Sequence, residues 1–221
     1  MIRAHISWCR ECDDLAAAEL AAQLAQDEQE ELQRLRDPSR RRGFILSRLL
    51  LRRALAEHLH KPGRDLRFYR DNKGRLLLRD APEGHFSLSH CRGFVAILVA
   101  DAGCGIDVEV PRNVPALRLA ERYFSPAEVA WLSSRGEAYR LREFFRLWTL
   151  KEAAVKALGQ GLANNLARLA FSLAGPEPRL LGDMPALAVH QLDRGNCMLA
   201  GAVATAAEVD WQCREMTLAD L

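Results

Sequence analysis

The sequence predicts an α+β protein built from two loosely similar halves. Short runs of strand character alternate with two long stretches of helical periodicity. Each half opens on a strand, carries a long helix in its middle and closes on further strands. No low-complexity linker separates them, so they read as parts of one folded unit. The 221 residues suffice for a sizeable core, and 49% hydrophobic with 27% charged content is ordinary for a globular chain.

In the first half, Met1 to Trp8 reads as a strand and Leu15 to Leu35 as helical. Asp27, with Glu30 three residues on, predicts a capping box that opens a second helix. Pro38 reads as an interruption. Phe44, Leu51, Leu55 and Leu59 recur at helical spacing, and Pro62-Gly63 ends that helix. Leu66 to Tyr69 and Leu76 to Leu78 predict strands joined by the turn Asp71-Asn72-Lys73-Gly74. Phe86 to Ser89 and Phe94 to Ala100 predict two more, around His90-Cys91-Arg92-Gly93.

The second half opens on Gly105 to Val110, stopped by Pro111. Val114 to Tyr123 is helical, and Ser125-Pro126-Ala127-Glu128 opens another helix with Ser as cap, Pro first and Glu third. A long helix from Glu137 to Leu158 ends at Gly159-Gln160-Gly161. Ala167 to Leu173, Leu187 to Leu192 and Met198 to Thr205 predict the closing strands.

Bulk properties exclude little but exclude it clearly. A net charge of +2 does not mark the whole chain as a nucleic-acid binder. No apolar run reaches transmembrane length, and a basic region followed by an apolar signal core is missing from the N-terminus. A cytoplasmic location without membrane association is expected, with the six cysteines reduced.

Four segments carry candidate chemistry. Gly105-Ile106-Asp107-Val108-Glu109 alternates, so Asp107 and Glu109 share one strand face and can converge on a hard cation. In Trp148-Thr149-Leu150-Lys151-Glu152-Ala153-Ala154-Val155-Lys156, Glu152 and Lys156 share a helix face. Ser87-Leu88-Ser89-His90 leaves a strand beside a glycine turn, a corner suited to an anion. The stretch holding Arg34, Arg36, Arg40, Arg41, Arg42, Arg48, Arg52 and Arg53 contains only Asp37 as an acid and suits phosphate. Singly, each has a plainer explanation: a wet strand face, a surface ion pair, a structural histidine, a solvated helix.

Together, in this order, they resemble the 4′-phosphopantetheinyl transferases, in particular the longer monomeric class typified by the surfactin-synthetase activator. That signature is G-[IV]-D-x-E, then W-x-x-K-E-[AS]-x-x-K, then G-x-G; it is matched at Gly105 to Glu109, Trp148 to Lys156, and Gly159 to Gly161. Ser87 to His90 and Phe124-Ser125-Pro126-Ala127-Glu128 match two further family positions. The resemblance runs from about Leu32 to Phe171. It implies two similar α/β halves related by a pseudo-twofold, each a small, mostly antiparallel sheet with a long packed helix. Residues 1–104 would form the coenzyme A adenosine and 3′-phosphate side, and 105–221 the magnesium and catalytic side.

The implied reaction moves phosphopantetheine from coenzyme A to a serine of an apo acyl- or peptidyl-carrier protein and releases 3′,5′-ADP. Asp107, Glu109 and Glu152 would hold Mg²⁺; Lys151 and Lys156 would add positive charge at the leaving phosphate; Glu152 would act as ligand, as base taking the serine proton directly or through metal-bound water, or as both. Arg48, Lys73, Ser89, His90 and, more weakly, Arg41 would hold the nucleotide end. Glu128 lies at a family position near the metal, though its capping role explains it already. Arg118 and Arg122, exposed beside the site, are expected to meet an acidic carrier helix.

Three rival readings remain. Trp8-Cys9-Arg10-Glu11-Cys12 resembles a thioredoxin-like redox string. The arginine-rich helix suits nucleic-acid phosphates. A non-catalytic coenzyme A or phosphate-binding module is the third.

Overall fold

The computed structural model describes residues 1–72, 74–79, 81, 84–159, 166–182 and 185–221. Lys73 and Gly161 lie outside them.

The first half runs β1 (Ile2–Arg10), α1 (Asp14–Ala21), α2 (Gln26–Arg34), α3 (Pro38–Leu59), β2 (Phe68–Arg70), β3 (Leu76–Leu78), β4 (His85–Cys91) and β5 (Phe94–Ala100). The second runs β6 (Cys104–Glu109), α4 (Ala116–Tyr123), α5 (Pro126–Ser133), α6 (Glu137–Ala157), β7 (Ala170–Ser172), β8 (Arg179–Leu181), β9 (Ala188–Asp193) and β10 (Met198–Val203). Among the described residues, both run one strand, two short helices, one long helix, a small hairpin and two strands. The sheets repeat as well: β1-β5-β4 answers β6-β10-β9, all antiparallel.

The last strand, β11 (Val209–Glu215), breaks the symmetry by pairing in parallel with β1, Ile2 against Val209 through Trp8 against Glu215. The C-terminal strand thus pairs with a strand of the first half. Sequence patterning missed β11 and β8.

Alternation builds the layers. On β5, Val95, Ile97 and Val99 face α3, packing with Leu46, Leu50 and Leu55. Phe94, Ala96 and Leu98 face the second sheet, against Ile106, Val108 and Leu199. On β10, Met198, Ala200 and Ala202 turn the other way, to Leu150 and Ala154 of α6. The order is α3, first sheet, second sheet, α6. A strand buried on both faces reads as an unbroken apolar run, as β5 does.

The residues of β6 that do not face the sheet interface face α6, and Gly105 sets how near that helix comes. A Cβ on Gly105 would sit 2.5 Å from the Ala157 nitrogen and 2.7 Å from the Lys156 Cβ, and closer still to the Ala153 carbonyl oxygen. Only glycine lets α6 lie directly on the strand.

The two sheets meet along β4 and β6, which are not ladder partners. Two serines stand in for the ladder: Ile106 N–H donates to Ser87 Oγ at 3.1 Å and Val108 N–H to Ser89 Oγ at 3.3 Å.

Local expectations need three corrections. Pro38 opens α3 rather than interrupting it, with Asp37 capping the Arg40 N–H at 2.8 Å. Glu28, not Glu30, closes back on the start of α2, bonding Ala25 N–H at 3.1 Å; Asp27 lies inside the first turn. His90 and Cys91 continue β4, so only Arg92-Gly93 form the turn.

Gly105→Ala is expected to cost about 1–3 kcal/mol or more, because backbone rather than a flexible side chain must give way. Urea unfolding measures it; an unchanged midpoint would contradict the close approach.

Candidate active site

Asp107 and Glu109 alternate with the interface residues of β6 and so turn toward α6. Glu152 and Lys156 lie four apart on α6, about 40° around its axis, and face β6. Lys156 Nζ donates to the Ile106 carbonyl at 2.8 Å and to Asp107 Oδ1 at 2.9 Å. Asp107 Oδ1 also accepts from Ser89 Oγ at 2.9 Å. Its other oxygen, Oδ2, is buried and accepts from nothing among the described residues.

Glu152 is 9% exposed. Burial, and next the charge of Asp107, push its carboxyl up to about 7; Glu109 adds to this and Lys156 opposes it. An orphaned carboxylate oxygen beside a second carboxyl held near neutrality fits a hard divalent cation that would relieve both. The third carboxylate is engaged elsewhere: Arg112 donates to Glu109 Oε2 at 2.5 Å. Among the described residues no three ligating groups are already gathered into a cage. Asp107 and Glu152 are brought together; Glu109 needs release from Arg112.

The expected nucleotide-end residues are distributed differently. Ser89 points into the seam, toward β6, and not into an open corner. His90 is exposed on the opposite side of β4, where its ring lies against Gly43 of α3; a Cβ there would be 4.0 Å from His90 Cδ2. Arg48 is 5% exposed, stacks on Phe44 with its guanidinium carbon 4.8 Å from the ring centroid, and donates to Glu31 Oε2 at 3.1 Å. Arg70, which the sequence did not single out, shares that carboxylate at 2.7 Å. Arg41 turns back to cap α2, donating to the Leu32 and Leu35 carbonyls at 2.8 and 3.1 Å. Of its neighbours, Arg42 pairs with Asp14 at 2.6 Å. Lys73 lies outside the described residues.

Lys151 is not with the carboxylates. One residue before Glu152, it is turned about 100° away and is wholly buried, paired with Glu128 at 2.6 Å. The expectation that it stands beside Lys156 is corrected by helix geometry. Glu128 fulfils its capping role, accepting from Ser125 N–H at 2.8 Å. Sequence reasoning missed Arg112, and named Ser87 and Gly105 as motif positions without their packing roles. The S-x-S spacing of two hydroxyls on one strand face was the available signal for the role of Ser87.

The redox reading of Cys9 and Cys12 fails. Burial pushes Cys9 up to about 12 and raises Cys12 as well, the reverse of what a reactive thiolate needs.

Residues 103–207 match the model of the 4′-phosphopantetheinyl transferase superfamily. The chain is 35% identical over 192 residues to the 4′-phosphopantetheinyl transferase HetI of Nostoc sp., covering 84% of this chain and 81% of that one. The chain belongs to the 4′-phosphopantetheinyl transferase family. It is also similar to the transferase Sfp of Bacillus subtilis, 29% identical over 54% of this chain and 53% of Sfp. A human relative, L-aminoadipate-semialdehyde dehydrogenase-phosphopantetheinyl transferase, is 31% identical over 59% of this chain and 46% of its own length. For these two the match spans about half of the relative. In this transferase, the matched region takes in β6, α6 and the contact between them.

A carboxyl raised by folding binds its proton more tightly in the fold than in the unfolded chain. The metal-free protein should therefore lose stability as pH rises from about 4.5 to about 7, by at most about 3 kcal/mol, and level off above. Glu152→Gln should remove that slope. Urea midpoints in chelator at pH 5 and pH 8, wild type against variant, test it; identical slopes would refute the assignment.

Proposed function

We propose that this protein transfers 4′-phosphopantetheine from coenzyme A to a serine of an apo acyl- or peptidyl-carrier protein, in the cytoplasm and as a monomer. The observation that carries the reading is the pairing of Asp107, with its unpartnered Oδ2, and Glu152 across the β6–α6 contact within a chain of this family.

Asp107, Glu152 and, once freed from Arg112, Glu109 would hold Mg²⁺. The ion when bound supplies neutralisation of the coenzyme A diphosphate and fixes its orientation. The chain's own groups do the rest. Lys156 has two acceptors on β6 and, partly exposed, keeps one proton for a phosphate oxygen of the departing nucleotide. Glu152, with a pKa near neutrality in the free protein, is suited to take the serine proton. The serine Oγ forms a bond to the β-phosphorus as the bond from that phosphorus to the bridging oxygen breaks. The bridging oxygen leaves on 3′,5′-ADP and the serine proton passes to Glu152.

The start of α3, with Arg40 exposed, lies against the His90 side of β4 and offers positive charge for the 3′-phosphate. Arg48 would join Arg40 only after exchanging Glu31 for phosphate. Arg118 and Arg122, exposed on α4, would meet the acidic carrier. The same charge pattern disfavours the nucleic-acid reading, since most arginines of α3 are already paired internally.

Incubation with an apo carrier, coenzyme A and Mg²⁺ should add phosphopantetheine, seen by intact mass. Asp107→Ala and Glu152→Ala should each lower the rate on the order of 10² to 10³-fold while the protein stays folded. No adduct on fatty-acid, polyketide and peptide carriers alike would refute the proposal. Reversing both Arg118 and Arg122 to Glu should raise the carrier KM and leave coenzyme A binding unchanged; equal loss of both would rule out α4 as the docking helix.

A further inference from the structure

We infer that Lys151 is a positioning residue that fixes the rotation of α6, and that it does not touch the phosphates of the substrate. This rests on the transferase reading above, and it separates two lysines that the motif presents side by side.

An ammonium has three protons. Lys151 Nζ directs one to Glu128 Oε2 at 2.6 Å and one to the Leu169 carbonyl, and lies 5.0 Å from the centre of the Phe124 ring, whose face attracts a cation. Its side chain has no exposed surface. No direction is left for a phosphate, and reaching one would strip Glu128 of its counter-charge.

Glu128 is equally committed. Its Oε2 accepts from Ser125 N–H at 2.8 Å, Ser125 Oγ at 2.9 Å and Lys151; its Oε1 accepts from Phe171 N–H at 2.9 Å. The pair therefore ties the start of α5, the middle of α6 and the chain entering β7. Burial makes such a pair exacting, because either charge alone would be stranded away from water. An α6 rotated to free Lys151 would lose these bonds together. With Lys151 locked inward, Glu152 is left facing β6, and Lys156 reaches Asp107.

The wild-type enzyme provides the first test. The chain has four lysines, Lys61, Lys73, Lys151 and Lys156, so lysine-selective ¹³C labelling gives few side-chain signals to assign. Saturating coenzyme A with Mg²⁺ should move the Lys156 Cε signal and leave that of Lys151 in place. Movement of Lys151 as large as that of Lys156 would overturn the inference. If no lysine signal moves, coenzyme A is not a ligand; the transferase reading falls, and this inference with it.

Variants supply the second test. Lys151→Met alone should lower Tm and cut kcat more than about tenfold, with the coenzyme A KM within about threefold. Adding Glu128→Gln removes the stranded charge and should restore most of both Tm and kcat. A folded double variant whose coenzyme A KM stays raised more than about tenfold would indicate a phosphate contact and overturn the proposal. Lowered Tm with kcat unchanged in the folded single variant would also overturn it, since the pair would then stabilise the fold without positioning α6.

Discussion

The candidate site depends on the absence of one side chain. Gly105 lets the backbone of α6 rest directly on β6, and every distance between Asp107 and the helix follows from that contact. A methyl group there would meet main-chain atoms rather than a movable side chain, so the helix itself would have to move. The Lys156 bond to the Ile106 carbonyl and Asp107 would then be the first to lengthen. The glycine acts on chemistry without carrying any of it.

The second constraint is the seam between sheets. β4 ends the first sheet and β6 begins the second, and Ser87 and Ser89 join them by accepting N–H groups of β6. A hydroxyl can accept from the strand while donating sideways, and Ser89 does both, donating to Asp107 Oδ1. β4 thus serves two places at once. Ser89 donates to one oxygen of Asp107, while the next residue, His90, stands across the strand toward α3.

The buried charges of this protein are largely paired with one another. Glu28, Glu31, Arg48, Arg52 and Arg70 form one network in the first half, and Glu128 with Lys151 forms the counterpart in the second. These pairs hold helices in rotation more than they add stability, since burying ions costs about what their attraction returns. Asp107 and Glu152 are the contrast: a carboxylate oxygen without a partner, beside a carboxyl pushed toward neutrality by its neighbours. Asp107 is paired with Lys156 through one oxygen only, and the open oxygen beside Glu152 is where a cation could be received.

Much of this was legible in the sequence. Alternation placed Asp107 and Glu109 on one strand face, four-residue spacing placed Glu152 with Lys156, and Ser125 with Glu128 spelled out the capping box of α5. These are properties of one helix or strand, whose side-chain directions are set by backbone geometry alone. The sequence did not reveal that Lys151 is walled off with Glu128, that Arg41 caps α2, that Arg112 holds Glu109, or that β11 crosses back to β1. Each of those depends on which element packs against which, and on competition among several charged partners for the same oxygen. A chain's residue order determines the face a side chain takes within its element; only the packing of α6 on β6 and of β11 on β1 decided what that face meets.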